Sequence, residues 1–277
     1  MHMIYRIIQP AAYLQAFIKD YTLFHFVSGK NDSIPVKPFP ANTQHCMVFY
    51  LRGTVRAFEP KTGLSTIFAK TAINGSQIAR YDFHIAPNYL MFSVHFQPGA
   101  LAKFLRLPLT DFTDARIDAE AILNPEIHQV HEQMANASSY ESILQIIQAY
   151  LWQRIQSLKT DFQPINKVAC LVSENPNKFS IEKMADHTCL SISQFERRFA
   201  QQLGITPKLY VRINRFYQAY SLKEKHPNLD WLSIALQTGY HDYQHLVKDF
   251  KQFSYATPHS LLLAQAQAPE KILGVSI

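Results

Sequence analysis

The chain has 277 residues, 27 Lys and Arg against 21 Asp and Glu, a formal net charge of +6 and 47% hydrophobic residues. At about 100–200 residues per domain, this length fits two domains with ordinary cores and excludes a disordered chain. No apolar run approaches the roughly 20 residues that cross a bilayer. The start, Met1-His2-Met3-Ile4-Tyr5-Arg6, lacks the basic, apolar and small-residue succession of a secretory signal. Three widely spaced Cys (Cys46, Cys170, Cys189) build neither a disulfide scaffold nor a Cys-rich zinc site, so a cytoplasmic protein without membrane association is expected. With eight Gly in all, the sequence contains no Gly-x-Gly-x-x-Gly or Gly-x-x-x-x-Gly-Lys loop and no Gly-x-Ser-x-Gly elbow.

In chain order, residues 11–19 suggest a short helix. Tyr21-Thr22-Leu23-Phe24-His25-Phe26-Val27, Cys46-Met47-Val48-Phe49-Tyr50-Leu51, Thr66-Ile67-Phe68-Ala69 and Leu90-Met91-Phe92-Ser93-Val94-His95-Phe96 are strand-length and rich in β-branched and aromatic residues. Short strands with Pro, Gly and Asn between them predict a small barrel or sandwich. A second helix follows Pro98-Gly99. Phe24, Phe26, Phe49, Phe83, Phe92 and Phe96 either fill such a barrel or line a pocket for a small, partly apolar effector.

From about Ala119 the pattern turns helical. Ser138-Ser139-Tyr140-Glu141 offers a helix start, after which Ile143, Ile147, Tyr150, Leu151, Ile155 and Leu158 form one apolar stripe. Two readings stay open: the stripe packs on its own domain, or residues 138–158 make a homodimer. Asp161-Phe162-Gln163-Pro164 breaks the helix and marks the expected boundary between residues 1–160 and 164–265, with 266–277 as a tail.

Seven His precede that boundary: His2, His25, His45, His84, His95, His128 and His131. His128 and His131 share a spacing that permits a metal, but no nearby carboxylate or Cys completes the pattern, and a solvated helix face is expected. His25, His45, His84 and His95 fall on or beside strands without a His-x-His pair, and Glu59 is the one Glu before Glu120. A metal-dependent barrel enzyme is therefore the alternative reading, and neither a metal site nor a cofactor is expected.

Residues 164–265 hold a weak internal repeat. Ala185 is followed by Leu190, Phe195, Phe199 and Thr206-Pro207; Ala235 is followed by Tyr240, Leu246, Phe250 and Thr257-Pro258. Each copy reads as helix, turn, helix. Ser191 and Gln194 suggest a capping box, Gly204 a left-handed stop, and Thr206-Pro207 the N-cap and first turn of the next helix. Between the copies, residues 207–224 carry no breaker. A helix of that length spans about 27 Å, against about 34 Å between successive major grooves on one DNA face.

Ile181 to Leu261 resembles the tandem helix-turn-helix domain of AraC/XylS-family transcription regulators. The resemblance rests on Met184-Ala185, Leu190-Ser191, Phe195-x-Arg197-x-Phe199, Gly204-x-Thr206-Pro207, Ile234-Ala235, Gly239-Tyr240 and Phe250-Lys251 with Thr257-Pro258. It implies double-stranded DNA as the partner and a cupin-like sensing or dimerisation domain over residues 1–160, to which Phe96-x-Pro98-Gly99-Ala100-Leu101 adds a short further likeness. The whole would be an α+β chain: a cupin-like small β-barrel with flanking helices, then an all-α DNA-binding part. A small-molecule effector and RNA polymerase are the further partners such a regulator would have. Two positions depart from the family pattern. Cys189 stands where the first turn usually has Gly, and Tyr255 where the second copy would carry its C-terminal Gly.

By the family pattern the first recognition helix covers 192–202, with Ser193, Gln194, Glu196, Arg197 and Arg198 outward. Arg can pair bidentately with guanine, Gln with adenine, and Glu can accept from cytosine. For Arg197 a phosphate clamp or a local pair with Glu196 are competing roles. The second covers 242–252, with Tyr243, Gln244, His245, Val247, Lys248 and Lys251 as candidates. Val247 suits a thymine methyl, and Lys248 and Lys251 suit phosphate. Residues 164–265 carry 12 basic and 8 acidic side chains, so Glu196, Asp242 and Asp249 dilute the charge of the two copies and position is more informative than net charge.

Overall fold

The computed structural model describes residues 1–29, 34, 36–123, 125–158 and 164–273. Period-two alternation in the N-terminal strands sorts their side chains between two layers. The strands are β1 (His2–Ile8), β2 (Ile18–Val27), β3 (Lys37–Phe39), β4 (Cys46–Arg52), β5 (Val55–Phe58), β6 (Ser65–Ile67), β7 (Thr71–Asn74), β8 (Tyr81–Ile85), β9 (Asn88–Phe96) and β10 (Arg116–Asp118). They form a six-stranded sheet in the order β1-β2-β9-β4-β7-β10 and a four-stranded sheet in the order β3-β8-β5-β6, with antiparallel neighbours throughout.

The α+β class is as expected, but the barrel is not closed. β1 and β10 are opposite edges of one sheet, β3 and β6 of the other. The two faces of the larger sheet meet different layers. On β2, β4 and β9, Leu23, Met47, Phe49, Phe92, Val94 and Phe96 point to a core shared with helices. Phe24, Phe26 and Tyr89 point the other way, onto Val55, Phe83 and Ile85 of the second sheet. The six expected lumen aromatics are thus split between two faces, and Phe24 and Phe83 fill the inter-sheet layer against Tyr89 and Phe68 at ring separations of 5.8 and 5.7 Å. The predicted helix over 11–19 shrinks to a single 3-10 turn, Ala12–Leu14, because β2 begins at Ile18.

The helical layer consists of α1 (Ala100–Leu105), α2 (Glu120–Leu123), α3 (Glu126–Ala135) and α4 (Tyr140–Ile155). On α4, Ile143, Ile147, Tyr150, Leu151 and Ile155 are buried against the six-stranded sheet and α3. The stripe packs within its own half, so it no longer argues for a dimer. His131 departs from the expected solvated face: it is buried, with Nδ1 3.1 Å from Thr71 Oγ1 and its ring stacked on Phe49. Its neighbour His128 is exposed beside Glu120.

The remaining helices are α5 (Pro164–Glu174), α6 (Ile181–Asp186), α7 (Ile192–Leu203), α8 (Pro207–Lys225), α9 (Trp231–Gln237), α10 (Tyr243–Ser254), α11 (Pro258–Ala266) and α12 (Pro269–Ile272). α5 to α11 share a second core built on Phe195, Phe199, Tyr210, Phe216, Phe250 and Phe253. The break expected at Asp161-Phe162-Gln163 lies outside the described residues, and α5 starts at Pro164.

Candidate nucleic-acid interface

Each predicted copy is present, and the same local chemistry builds both. Ser180 caps α6 by accepting from the Lys183 amide, and Asp230 caps α9 by accepting from the Ser233 amide. Both helices end on a buried Thr: Thr188 Oγ1 donates to Ala185 O and Thr238 Oγ1 to Ile234 O, each at 2.7 Å. Sequence reading passed over these two, although each stands three residues after its repeat Ala. Ser191 then caps α7 through the Gln194 amide, and Asp242 caps α10 through the His245 amide. That amide holds the Asp242 carboxyl below its ordinary range.

The turns explain the two departures from the family pattern. Gly239 has φ +78°, and a Cβ there would sit 2.5 Å from Asn177 Cβ. Cys189, its counterpart, is left-handed at φ 53° with an exposed side chain. Tyr255 is the left-handed cap of α10, also at φ 53°, and its hydroxyl reaches Glu59 at 3.3 Å. A non-Gly residue in this region costs about 1 kcal/mol. Part of that is recovered in the less restricted unfolded chain, so Cys189→Gly is expected to stabilise the protein by about 0.5 kcal/mol in chemical denaturation. A loss of stability instead would show that the Cys189 side chain does more than occupy the turn.

α7 and α10 are the second helix of each copy. Phe195, Phe199 and Leu203 anchor α7, while Leu246, Phe250 and Phe253 anchor α10. Opposite these anchors, Ser193, Gln194, Arg197 and Arg198 are exposed on α7 and Glu196 is half-buried. On α10, Tyr243, Gln244, His245, Lys248 and Lys251 are exposed and Val247 is half-buried. Arg197 makes no pair with Glu196. Among the described residues Arg197, Arg198, Lys248 and Lys251 have no hydrogen-bond or ion-pair partner, which leaves two helix faces carrying free cations.

Asp249, by contrast, does not dilute the outer face. It is 4% exposed and receives Arg212 Nη2 on Oδ1, Tyr240 OH on Oδ2 at 3.2 Å and Arg215 Nη2 at 3.7 Å. Arg212 and Arg215 come from α8, so this carboxylate ties the second recognition helix to the connector. The buried positions 246, 249, 250 and 253 share one helical face, and that spacing was the available signal.

Metal chemistry finds little support in the N-terminal His. His25 Nδ1 lies 2.6 Å from the Tyr140 hydroxyl, His95 Nδ1 pairs with Asp20 at 2.6 Å, and His45 is buried against α7. Among the described residues none of them joins two further donors close enough to share an ion. His241, Asp242 and His245 do bring three donor atoms within 4.8 Å of one another. These residues surround the start of α10, and Asp242 Oδ1 already takes the His245 amide and sits 3.0 Å from its ring.

A model described as a helix-turn-helix domain matches residues 184–263, and one described as a domain of unknown function matches residues 6–118. The HTH-type transcriptional regulator MtrA of Neisseria gonorrhoeae is 28% identical over 88 residues, 32% of this chain and 29% of that one. An uncharacterized HTH-type transcriptional regulator of Haemophilus influenzae is 28% identical over 96 residues, 34% and 32% of the two chains. The matched region thus spans about a third of these relatives' length. Among solved structures, ToxT from Vibrio cholerae is 12% identical, with 91% of this chain and 98% of that one covered at a TM-score of 0.47. The AraC-like activator CuxR is 13% identical, with 79% and 87% covered at 0.27. Residues 184–263 thus match a helix-turn-helix domain, and the two capped copies on their common connector build it as a tandem pair.

Proposed function

We propose that this chain is a sequence-specific transcription regulator that sets α7 and α10 into adjacent major grooves of double-stranded DNA. The observation that carries this reading is the pair of matched helices with free, exposed cations on one connector of 19 residues, about 28 Å long at 1.5 Å per residue. Ser193, Gln194, Glu196, Arg197 and Arg198 on α7, and Tyr243, Gln244, His245, Val247, Lys248 and Lys251 on α10, are the proposed contacts. The domain division follows: residues 164–265 read DNA, residues 1–160 sense or dimerise, and residues 266–277 form the tail.

For an effector, the proposal points to a cavity of about 350 Å³ beside the start of α4. Leu90, Met134 and Ile143 give it an apolar floor, and His25, Arg52 and Tyr140 give it polar groups. With Glu141 also in the lining, this suits a small molecule with an apolar body and a hydrogen-bonding head. A homodimer through residues 138–158 would use the exposed face of α4, where Trp152 meets Tyr13 edge to face. RNA polymerase is the further partner such a regulator would meet, and the cytoplasm its setting. The metal-dependent enzyme is disfavoured by the dispersal of its candidate His.

Selection of bound fragments from a random DNA pool tests the function directly, and a consensus site is expected. On that site Arg197→Ala is expected to weaken binding by about 1–3 kcal/mol and to relax one base position. Lys251→Ala is expected to weaken binding to all sequences alike and to lower the salt slope by about 1. Anisotropy titrations at several salt concentrations separate the two. Unchanged affinity and selectivity for Arg197→Ala would remove it from the interface, and a pool without consensus would remove the function.

A further inference from the structure

A helix leaves its last carbonyls without intrahelical partners, and here the N-terminal half supplies partners to both recognition helices. At the end of α7, the Leu109 amide donates to Gln201 O at 2.7 Å. Ser76 Oγ and His45 Nε2 converge on Leu203 O at 2.9 and 3.2 Å. Thr113 Oγ1 donates to Gly204 O at 2.8 Å. Gly204 lies so close to this surface that a Cβ would sit 2.8 Å from Leu109 O. At the end of α10, the Ala41 amide donates to Phe253 O at 2.9 Å, and Arg80, forked onto Asp82, donates to Ser254 O at 3.3 Å.

One segment joins the two grips. Within residues 41–45, Ala41 holds α10, Thr43 Oγ1 donates to Asn214 Oδ1 on α8 at 3.2 Å, and His45 holds α7. The segment is itself braced. Asn42 forms a two-way backbone bridge with Gln77, whose side chain also donates to Phe39 O and Pro40 O. Ala41 is fully buried in the C-terminal core, against which Ile78 of the N-terminal half also packs.

We propose that the 41–45 strap is a positioning element for DNA reading: by gripping the C-terminal ends of both recognition helices, it fixes their separation and so the half-site spacing that the chain accepts. This rests on the DNA-reading function proposed above. Its residues touch no base. They act through α7 and α10, and their signature is a change in spacing preference instead of a uniform loss of affinity. One base pair of extra spacing moves a half-site by about 3.4 Å and about 35°, a displacement that a strapped pair of helices does not follow.

The test uses the full chain and the site obtained from the random pool, remade with one base pair added or removed between its half-sites. The wild type is expected to lose about tenfold or more in affinity at either altered spacing. Thr43→Val, an isosteric change on a half-buried side chain, and His45→Leu are expected to reduce that penalty to about threefold or less. His45→Gln retains an N–H donor and is expected to restore most of it. If His45→Leu does not fold, Thr43→Val carries the comparison. Folded variants that keep the wild-type ratio, variants that lose affinity equally at all spacings, or a wild type indifferent to spacing would each overturn the proposal. A pool that gives no consensus at all would overturn the DNA-reading function instead, which keeps the two failures apart.

Discussion

Replacing Asp249 with alanine is expected to destabilise the protein by about 3 kcal/mol, the cost of removing one partner from a buried charge cluster. The carboxylate side chain is 6% exposed, and the Arg212 and Arg215 side chains 26% and 25%. Without it, both guanidiniums can turn part of their charge to water, which holds the loss to the lower end of the usual range. Tyr240 is less fortunate. Its hydroxyl is buried, donates to Asp249 Oδ2, and would be left without that acceptor. Burial raises the pKa of this phenol, so it stays a neutral donor. Asp249→Asn keeps one acceptor oxygen for Tyr240 but turns its NH2 toward Arg212, so it loses an acceptor as well as the charge and is expected to cost only somewhat less than the alanine. Urea denaturation of the two variants checks this. A loss below about 1 kcal/mol for Asp249→Ala would place the cluster among ion pairs of little net worth. Because Arg212 and Arg215 belong to α8, the same variant also loosens α10 against the connector, and weaker specific DNA binding is expected alongside the lower midpoint.

Asp249 also shows what the sequence could and could not reveal. The tandem copies were legible because their signals are local: Ala185 and Ala235, the Phe pair of α7, Gly204, and the Thr-Pro starts of α8 and α11 act within one or two helical turns. The outer faces of α7 and α10 were legible for the same reason. In the N-terminal half, alternation shows that Phe24 and Leu23 face apart, but not that one faces a second sheet and the other a helix layer. A barrel and two open sheets leave the same alternating trace. Over residues 11–19, Leu14 and Phe17 are both buried beside a single 3-10 turn that leads into β2, a burial that a short helix would also give. The strap had no local signal at all. It follows no period, and its partners lie 158 and 171 residues away.

The strap also makes stability depend on pH, and the sign can be worked out from His45. Burial pushes this imidazole from its ordinary 6.5 down to about 4, opposed by its bond to the Leu203 carbonyl. Leu203 O only accepts, so Nε2 carries the proton, and the buried Nδ1 has no partner. Between about pH 6.5 and 4 the unfolded chain protonates this His and the folded chain does not. Folding stability is therefore fully present above that window and falls as the pH drops through it, by about 3 kcal/mol at its lower end. Burial lowers His25 and His131 as well, and both add to the loss. Asp114 opposes it: burial raises this carboxyl, so its unfavourable charged form is relieved as the pH falls. Burial pushes the Asp20 carboxyl up, but its bond to His95 and the nearby positive charges hold it below its ordinary 3.8, and its contribution is lost only below the window. Thermal melts of the wild type and His45→Gln from pH 7 to pH 4.5 isolate the His45 share. The wild type is expected to lose stability more steeply, and parallel curves would show that the imidazole does not sense acid. Protonation of Nδ1 would place a charge between the strap and the end of α7, with no carboxylate among its hydrogen-bond or ion-pair partners. Acid should therefore weaken the grip on the first recognition helix before it unfolds the strands behind it.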